Sequence, residues 1–321
     1  MFRYDRKIFY FLTLFFFIVA SYPLYSQVKN ESDKFNSYFS FSFDNDVYFN
    51  TDKYYTNGFY FSFSGEREKL SGVENFIFPF HSGGKYFSAS LIQRIFTPAD
   101  FSTADVKYGD RPFAANLLFR YALRNFDRAE KLIITERVSI GAVGKYAFGK
   151  EVQNGIHSLL PHSSDVPGWE NQISGGALLC YFASVEKNIL MNGDFLVNFS
   201  SWGKLGTPQT AAGIKARLLV NSTGSFFKAP FYASKKSFNY RADFSAGAFY
   251  KLYDVNLQGN PIFDFSPYRI GKIKRILFHS EAGLRINISM FVIETRVYFL
   301  TPEFPGGTNH LWGRLKIGYK F

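Results

Sequence analysis

Two groups of side chains in this sequence could do chemistry together. Asp44, Asn45, Asp46 and Thr56 gather carboxylate, amide and hydroxyl oxygens in one short stretch. Hard cations such as Ca2+ prefer such donors. Further along, Gln153 and His157 stand four residues apart, so a helix would carry them on one face. His157 is the best general-base candidate of the five histidines, because imidazole ordinarily titrates near neutrality. Each group has a plainer reading: an Asx-rich turn that satisfies its own backbone, and a hydrogen-bonded surface histidine. The sequence contains no His-Glu-x-x-His zinc helix, P-loop or Gly-x-Ser-x-Gly elbow. The single cysteine, Cys180, excludes a disulfide framework and a Cys-rich metal site.

The elements that must position these groups are strands. Phe39, Phe41 and Phe43 share one face and Ser40, Ser42 and Asp44 the other; Phe59, Phe61 and Phe63 alternate in the same way with Tyr60, Ser62 and Ser64. A period of two with bulky aromatics on one side is a strand signal. Such segments are predicted near 37–44, 56–64, 85–94, 112–125, 131–144, 172–185, 193–202, 210–221, 240–253, 273–287, 290–300 and 310–321. The later ones set charge directly opposite apolar residues, as in Leu315, Ile317, Tyr319 and Phe321 against Arg314, Lys316 and Lys320. No linker or repeat divides the chain, which reads as one domain over 27–321.

Residues 1–26 read as a secretory signal peptide: Arg3, Arg6 and Lys7, an apolar run from Ile8 to Ala20, then small and turn residues before Gln27. The chain holds 40 Phe and 21 Tyr at a mean hydropathy of only -0.10. A membrane β-barrel accounts for that combination, since its strands face lipid on one side and water on the other. The expected fold is therefore an all-β, transmembrane, antiparallel up-and-down barrel of about twelve strands. The formal charge of +11 suits an anionic partner, and for a secreted β-chain a phosphorylated lipid surface fits better than nucleic acid. Termini on the periplasmic side would put the connections after odd strands at the outer rim. The polar knot at 44–58, the stretch 97–112 and the interval 145–171 then meet there. Gly149 to Pro161 has helical spacing, with Val152, Ile156, Leu159 and Leu160 on one face and Gln153 and His157 beside it.

The sequence resembles the outer-membrane lipid A 3′-O-deacylase family. The resemblance rests on Asp44-Asn45-Asp46 with Tyr55-Thr56-Asn57-Gly58, on Gln93 with Phe96-Thr97-Pro98, and on Gly109-Asp110-Arg111-Pro112-Phe113-Ala114. Most specific is Gly141-Ala142-Val143-Gly144 followed by Glu151-Val152-Gln153-Asn154 and His157, with Gly168-Trp169 and Gln172 beyond. It covers roughly 38–175; the C-terminal half is similar only as barrel strands. It implies a twelve-stranded outer-membrane barrel that hydrolyses the 3′-O-linked acyloxyacyl chain of lipid A. It further implies Ca2+ near Asn45 and Asp46, His157 as the base, and Thr56 and Gln153 as positioning groups. Lys107 or Arg111 would meet a lipid A phosphate. A C-terminal strand ending on Phe321 is similar to the signal read by the barrel-assembly machinery. Other readings of the same scaffold are an outer-membrane phospholipase and a non-enzymatic barrel, either a porin or a surface-binding protein.

Overall fold

The computed structural model describes residues 37–49, 51–67, 69–80, 84–158, 165–221, 238–262 and 264–321. The signal peptide expected at 1–26, His81, His162 and the end of the expected helix at 159–161 lie outside them. The strands are β1 Ser37–Asn45, β2 Tyr54–Arg67, β3 Gly84–Thr97, β4 Ala114–Asp127, β5 Leu132–Val143 and β6 Gly176–Asn192. They continue with β7 Phe195–Gly206, β8 Gln209–Asn221, β9 Phe238–Asp254, β10 Ile276–Ile288, β11 Phe291–Leu300 and β12 His310–Lys320. All twelve expected segments are strands. β6 starts later than expected, at Gly176, beyond the 3-10 turn Trp169–Asn171.

Each strand pairs antiparallel with its sequence neighbour, and β1 pairs with β12 from Tyr38↔Lys320 to Asn45↔Gly313. The seam ends on Ser37 and Phe321, whose backbones exchange both hydrogen bonds at 3.1 Å. Closure leaves no strand edge, which a wall surrounded by hydrocarbon requires.

Period-two alternation gives the wall two chemically distinct faces. Phe39, Phe61, Phe119, Leu179, Phe244 and Ile317 are exposed on the outside. Ser40, Ser42, Asp44, Asn116 and Arg285 are buried on the inside. Inside, Arg314 grips Asp44 through both carboxylate oxygens, at 2.5 and 2.7 Å, and the Tyr55 hydroxyl donates to the same carboxylate at 2.8 Å.

Helix α1 (Gly72–Ile77) lies in the connection between β2 and β3, at the end where β1 starts and β12 finishes. That connection is organised locally. Ser71 caps the helix in a reciprocal box with Glu74. Glu74 in turn accepts from Arg67 and from the Tyr121 hydroxyl, each at 2.7 Å. Helices α2 (Gly149–Ser158) and α3 (Val255–Gln258) lie at the opposite end. There Tyr54, Leu257, Ile270, Ile273 and Phe304 pack together, drawing three connections across the barrel mouth.

Replacing Asp44 with Ala strands the Arg314 guanidinium in the lumen, and breaking such a pair costs about 3 kcal/mol. The variant is expected to lose its heat-resistant folded form at a lower temperature than the parent. This is read from the folded and unfolded bands on gels loaded after stepwise heating; an unchanged transition would contradict the pairing.

Candidate active site

The far rim begins where β1 runs out. Asp44 and Asp46 are two apart and would share a face of a continuing strand, yet the sheet ends at Asn45 and they separate. Asp44 stays in the lumen with Arg314. Asn45 points out of the wall with its pairing partner Asn57, to which its amide donates at 2.8 Å; its Oδ1 accepts from Val47 N at 2.6 Å. The chain then turns through a short 3-10 segment, Val47–Phe49. Asp46 is fully buried at the head of this turn, with Oδ2 accepting from Thr51 Oγ1 and Lys53 N at 2.9 Å each. Its other oxygen, Oδ1, is buried without a partner among the described residues. Burial pushes this carboxyl up to about 7, against the opposing pull of the Lys53 amide and the Thr51 hydroxyl.

Thr56 sits at the break in register between β2 and β3: Tyr55 faces Phe96 and Asn57 faces Ile95, leaving Thr56 between them without a partner. A bulge of this kind re-aims side chains at a barrel rim. Here Tyr55 enters the lumen and Asn57 leaves it, so both faces of the wall are polar at one level. Thr56 itself is fully buried, its hydroxyl 3.4 Å from the Ile95 carbonyl.

Helix α2 lies against the outside of the wall. Ile92, Arg94 and Phe96 of β3 face inward, so Gln93 and Ile95 face outward. Gln93 donates to the Ala147 carbonyl at 2.6 Å, fastening the approach to the helix. Ile95 and Ala115 pack with Phe113, Ala147, Val166 and Trp169, and Val152 leans on this cluster. Gly149 starts the helix where a Cβ would come within 2.5 Å of both Ala115 and the Trp169 ring. Only glycine allows that approach. Gly144, at φ 75°, turns the chain out of β5 beside the Ile173 carbonyl.

The two polar residues of α2 play different parts. Gln153 is fully buried, and its Oε1 accepts from Trp169 Nε1 at 2.9 Å, so it ties the helix to the loop that follows. Its amide nitrogen is buried without a partner among the described residues. His157, one turn on, is half-buried and close enough to Asp52 for their charges to interact. Asp52 in turn acts on Asp46. The first rim connection and α2 therefore face each other on the outer side of the wall. Asp52 and Trp169 as a tether escaped the sequence reading: Asp52 follows no spacing rule, and an indole bond to a glutamine has no periodic signature.

The two basic candidates diverge. Lys107 remains in the second rim connection, paired with Asp100 at 3.1 Å. Arg111 is buried in the barrel mouth, paired with Glu303 and stacked 4.9 Å from the centre of the Phe96 ring. Glu303 also accepts from Lys251, whose Nζ lies 2.8 Å from Asp254. Arg111 thus belongs to an ion network in the barrel mouth, with its Nε and Nη1 buried and without a hydrogen-bond partner among the described residues, and Lys107 belongs to the loop.

As donors, Asp46 with its open oxygen, Asn45 Oδ1 and the neighbouring Asp52 fit a hard cation in chemical type. Among the described residues no group of three or more His, Cys, Asp or Glu side chains is arranged to hold a metal. Any cation here would draw on amide, backbone or water oxygens as well.

A closed, twelve-stranded antiparallel wall, apolar outside and charged inside, with a polar cluster at one rim, defines an outer-membrane β-barrel. The chain belongs to the LpxR family: the family model for outer membrane protein LpxR matches residues 11–321. It is similar to the solved structure of LpxR from Salmonella typhimurium, at 18% identity and a TM-score of 0.73, covering 88% of this chain and 100% of that one. The translocator domain of the autotransporter NalP from Neisseria meningitidis matches at 9% identity and a TM-score of 0.41, covering 99% and 98% of the two chains. The KdgM porin in complex with oligogalacturonate matches at 7% and 0.39, covering 88% and 99%. A comparison with curated protein sequences gives no match. The protein is located in the bacterial outer membrane.

Substituting Gly149 with Ala is expected to push the start of α2 off the wall while leaving the barrel closed. Hydrogen exchange should quicken across 149–158 and stay unchanged in β3 and β4; equal protection in the helix would show that the contact at Ala115 and Trp169 does not set its position.

Proposed function

We propose that this protein is a lipid A 3′-O-deacylase, an esterase that removes the acyloxyacyl chain from lipid A at the outer rim of the barrel. The observation that carries this reading is the side of the wall on which the candidate groups lie. Asn45, Asn57 and α2 are on the outside, next to the lipid-facing band, and the lumen holds none of them. A porin or a hydrolase of soluble substrates would present its working groups to the lumen. An enzyme whose substrate arrives within the leaflet presents them here, where acyl chains can lie along Phe59 and Leu91 while the ester reaches polar groups.

In this reading the His157 imidazole takes a proton from a water molecule as that water's oxygen attacks the ester carbonyl carbon. Collapse of the tetrahedral species breaks the bond to the sugar 3-oxygen, which recovers the proton from His157 and leaves as the hydroxyl. The acyloxyacyl chain departs as the carboxylic acid. Asp52 is the carboxylate within electrostatic reach of His157. Gln153 and Trp169 hold the helix that carries His157, and Thr56 borders the water's approach from β2. Ca2+ held by Asp46 and Asn45 would supply positive charge for the carbonyl oxygen as it becomes an oxyanion. Lys107, rather than the buried Arg111, is the group left to meet a lipid A phosphate. Phe321, exposed beside Phe63, is offered as the residue read during assembly.

Removing the base costs on the order of 10²–10⁴ in rate. His157→Ala should therefore abolish detectable deacylation while the protein still migrates as a folded, heat-modifiable barrel. Mass spectrometry of lipid A from cells expressing parent or variant reads this directly, as loss of one acyloxyacyl mass in the parent alone. Full activity in the variant would sink the mechanism.

Exhaustive chelation should stop turnover and added calcium restore it, with Asp46→Asn needing more calcium than the parent. Undiminished turnover after chelation, blocked instead by a serine-directed phosphonate, would transfer the reading to a phospholipase-type nucleophile.

A further inference from the structure

The lumen carries far more positive charge than its carboxylates can match. Its central cavity, about 610 Å³, is lined among the described residues by nine arginines and two lysines against three carboxylates. The carboxylates are taken: Asp243 by Arg296, Glu294 by Arg285 and Glu186 by Arg217. Arg94, Arg120 and Arg137, on adjacent strands β3, β4 and β5, form no ion pair among the described residues. The hydrogen-bond or ring partner of each is a neutral group. Arg94 Nε donates to the Tyr60 hydroxyl at 3.2 Å and Arg120 Nε to Ser139 Oγ at 3.2 Å, while the Arg137 guanidinium lies 4.3 Å from the centre of the Phe182 ring. Arg120 is within electrostatic reach of both others. Arg94 and Arg120 also line the adjoining cavity toward the far rim, about 350 Å³, together with Lys204.

Arginine cannot shed its proton to relieve this repulsion. Inside a wall surrounded by hydrocarbon the charge must be matched by something that enters. We infer that Arg94, Arg120 and Arg137 form a binding site for a phosphate-class anion within the barrel. Guanidinium forks match the oxygens of a tetrahedral oxyanion two at a time, and three of them offer more donors than a chloride ion can accept. The site lies on the opposite side of the wall from the candidate esterase groups and does not depend on that reading. Free phosphate and a phosphate carried on a lipid sugar share this chemistry.

The test uses the full mature chain folded in detergent, titrated calorimetrically with inorganic phosphate in chloride buffer of constant ionic strength. A parallel titration uses micelles of a phosphorylated glucosamine lipid. Saturable binding in the first identifies free phosphate as the ligand, and in the second alone a headgroup. Arg120→Gln should weaken whichever binding is seen by about tenfold, the factor expected for loss of one charge-assisted hydrogen bond. The same variant should melt at a higher temperature than the parent in chloride, because a like charge is gone. Arg137→Lys keeps the charge but loses the fork, so it folds as the parent does and binds with intermediate strength. No saturable binding in either titration, or binding unchanged in both variants, overturns the site.

Discussion

A backbone surrounded by hydrocarbon must satisfy all its hydrogen bonds internally, and everything else in this molecule follows from how that is done. Twelve strands close on themselves through the β1–β12 seam, so each residue between the rims is committed to one of two environments. The commitment is rigid. A slip by one residue would turn Phe39, Phe41 and Phe43 into the lumen and expose Ser40, Ser42 and Asp44 to lipid. Chemistry that needs freedom of direction can therefore exist only where the ladder is interrupted. Two adjoining interruptions on the far rim bear on the candidate site: after Asn45, where β1 ends, and at Thr56, where β2 and β3 lose register; further register breaks fall between Asn188 and Leu190 and between Thr210 and Ala211.

These interruptions allow neighbouring residues to serve opposite sides of the wall. Asp44 and Tyr55 point inward and bind each other and Arg314. Asn45 and Asn57 point outward and bind each other. Asp46, beyond the sheet, is held by Thr51 and Lys53 with one oxygen left over. Two carboxylates two residues apart thus have unrelated tasks. One is neutralised by a bidentate arginine; the other keeps the burial cost of its charge, which explains its raised pKa.

The strands were legible because bulky aromatics and small polar residues alternate so strongly, as in Phe39 to Phe43 and Leu315 to Phe321. The helix at Gly149 was legible from its spacing, and strand parity correctly collected the polar connections at one end. The side of the wall was not legible. Period two says that Asp44 and Asp46 share a face, and only the loss of pairing after Asn45 separates them. Arg111 shows the same limit from another direction. In sequence it is a basic loop residue fit for a phosphate, but Glu303, 192 residues away, reaches it across the barrel mouth. Long-range pairing of that kind leaves no local trace. The bulge at Thr56 is likewise set by how β3 runs beside β2, not by any residue type within Tyr55-Thr56-Asn57.

The position of His157 depends on contacts remote from it. It stands near the end of a ten-residue helix whose first residue touches the wall and whose buried glutamine is bonded to an indole. An isolated helix of that length is marginal in water, so its order comes from what it packs against. Gly149, Gln153 and Trp169 supply that packing, on a platform made by the outward faces of Ile95 and Ala115. Those two residues are at lipid-facing positions by parity, yet they are covered by protein instead of lipid. The apolar surface that elsewhere anchors the barrel in the membrane is used here to seat a helix. The helix is consequently seated on the same side of the wall as the lipid-facing band and as the Asn45–Asn57 pair.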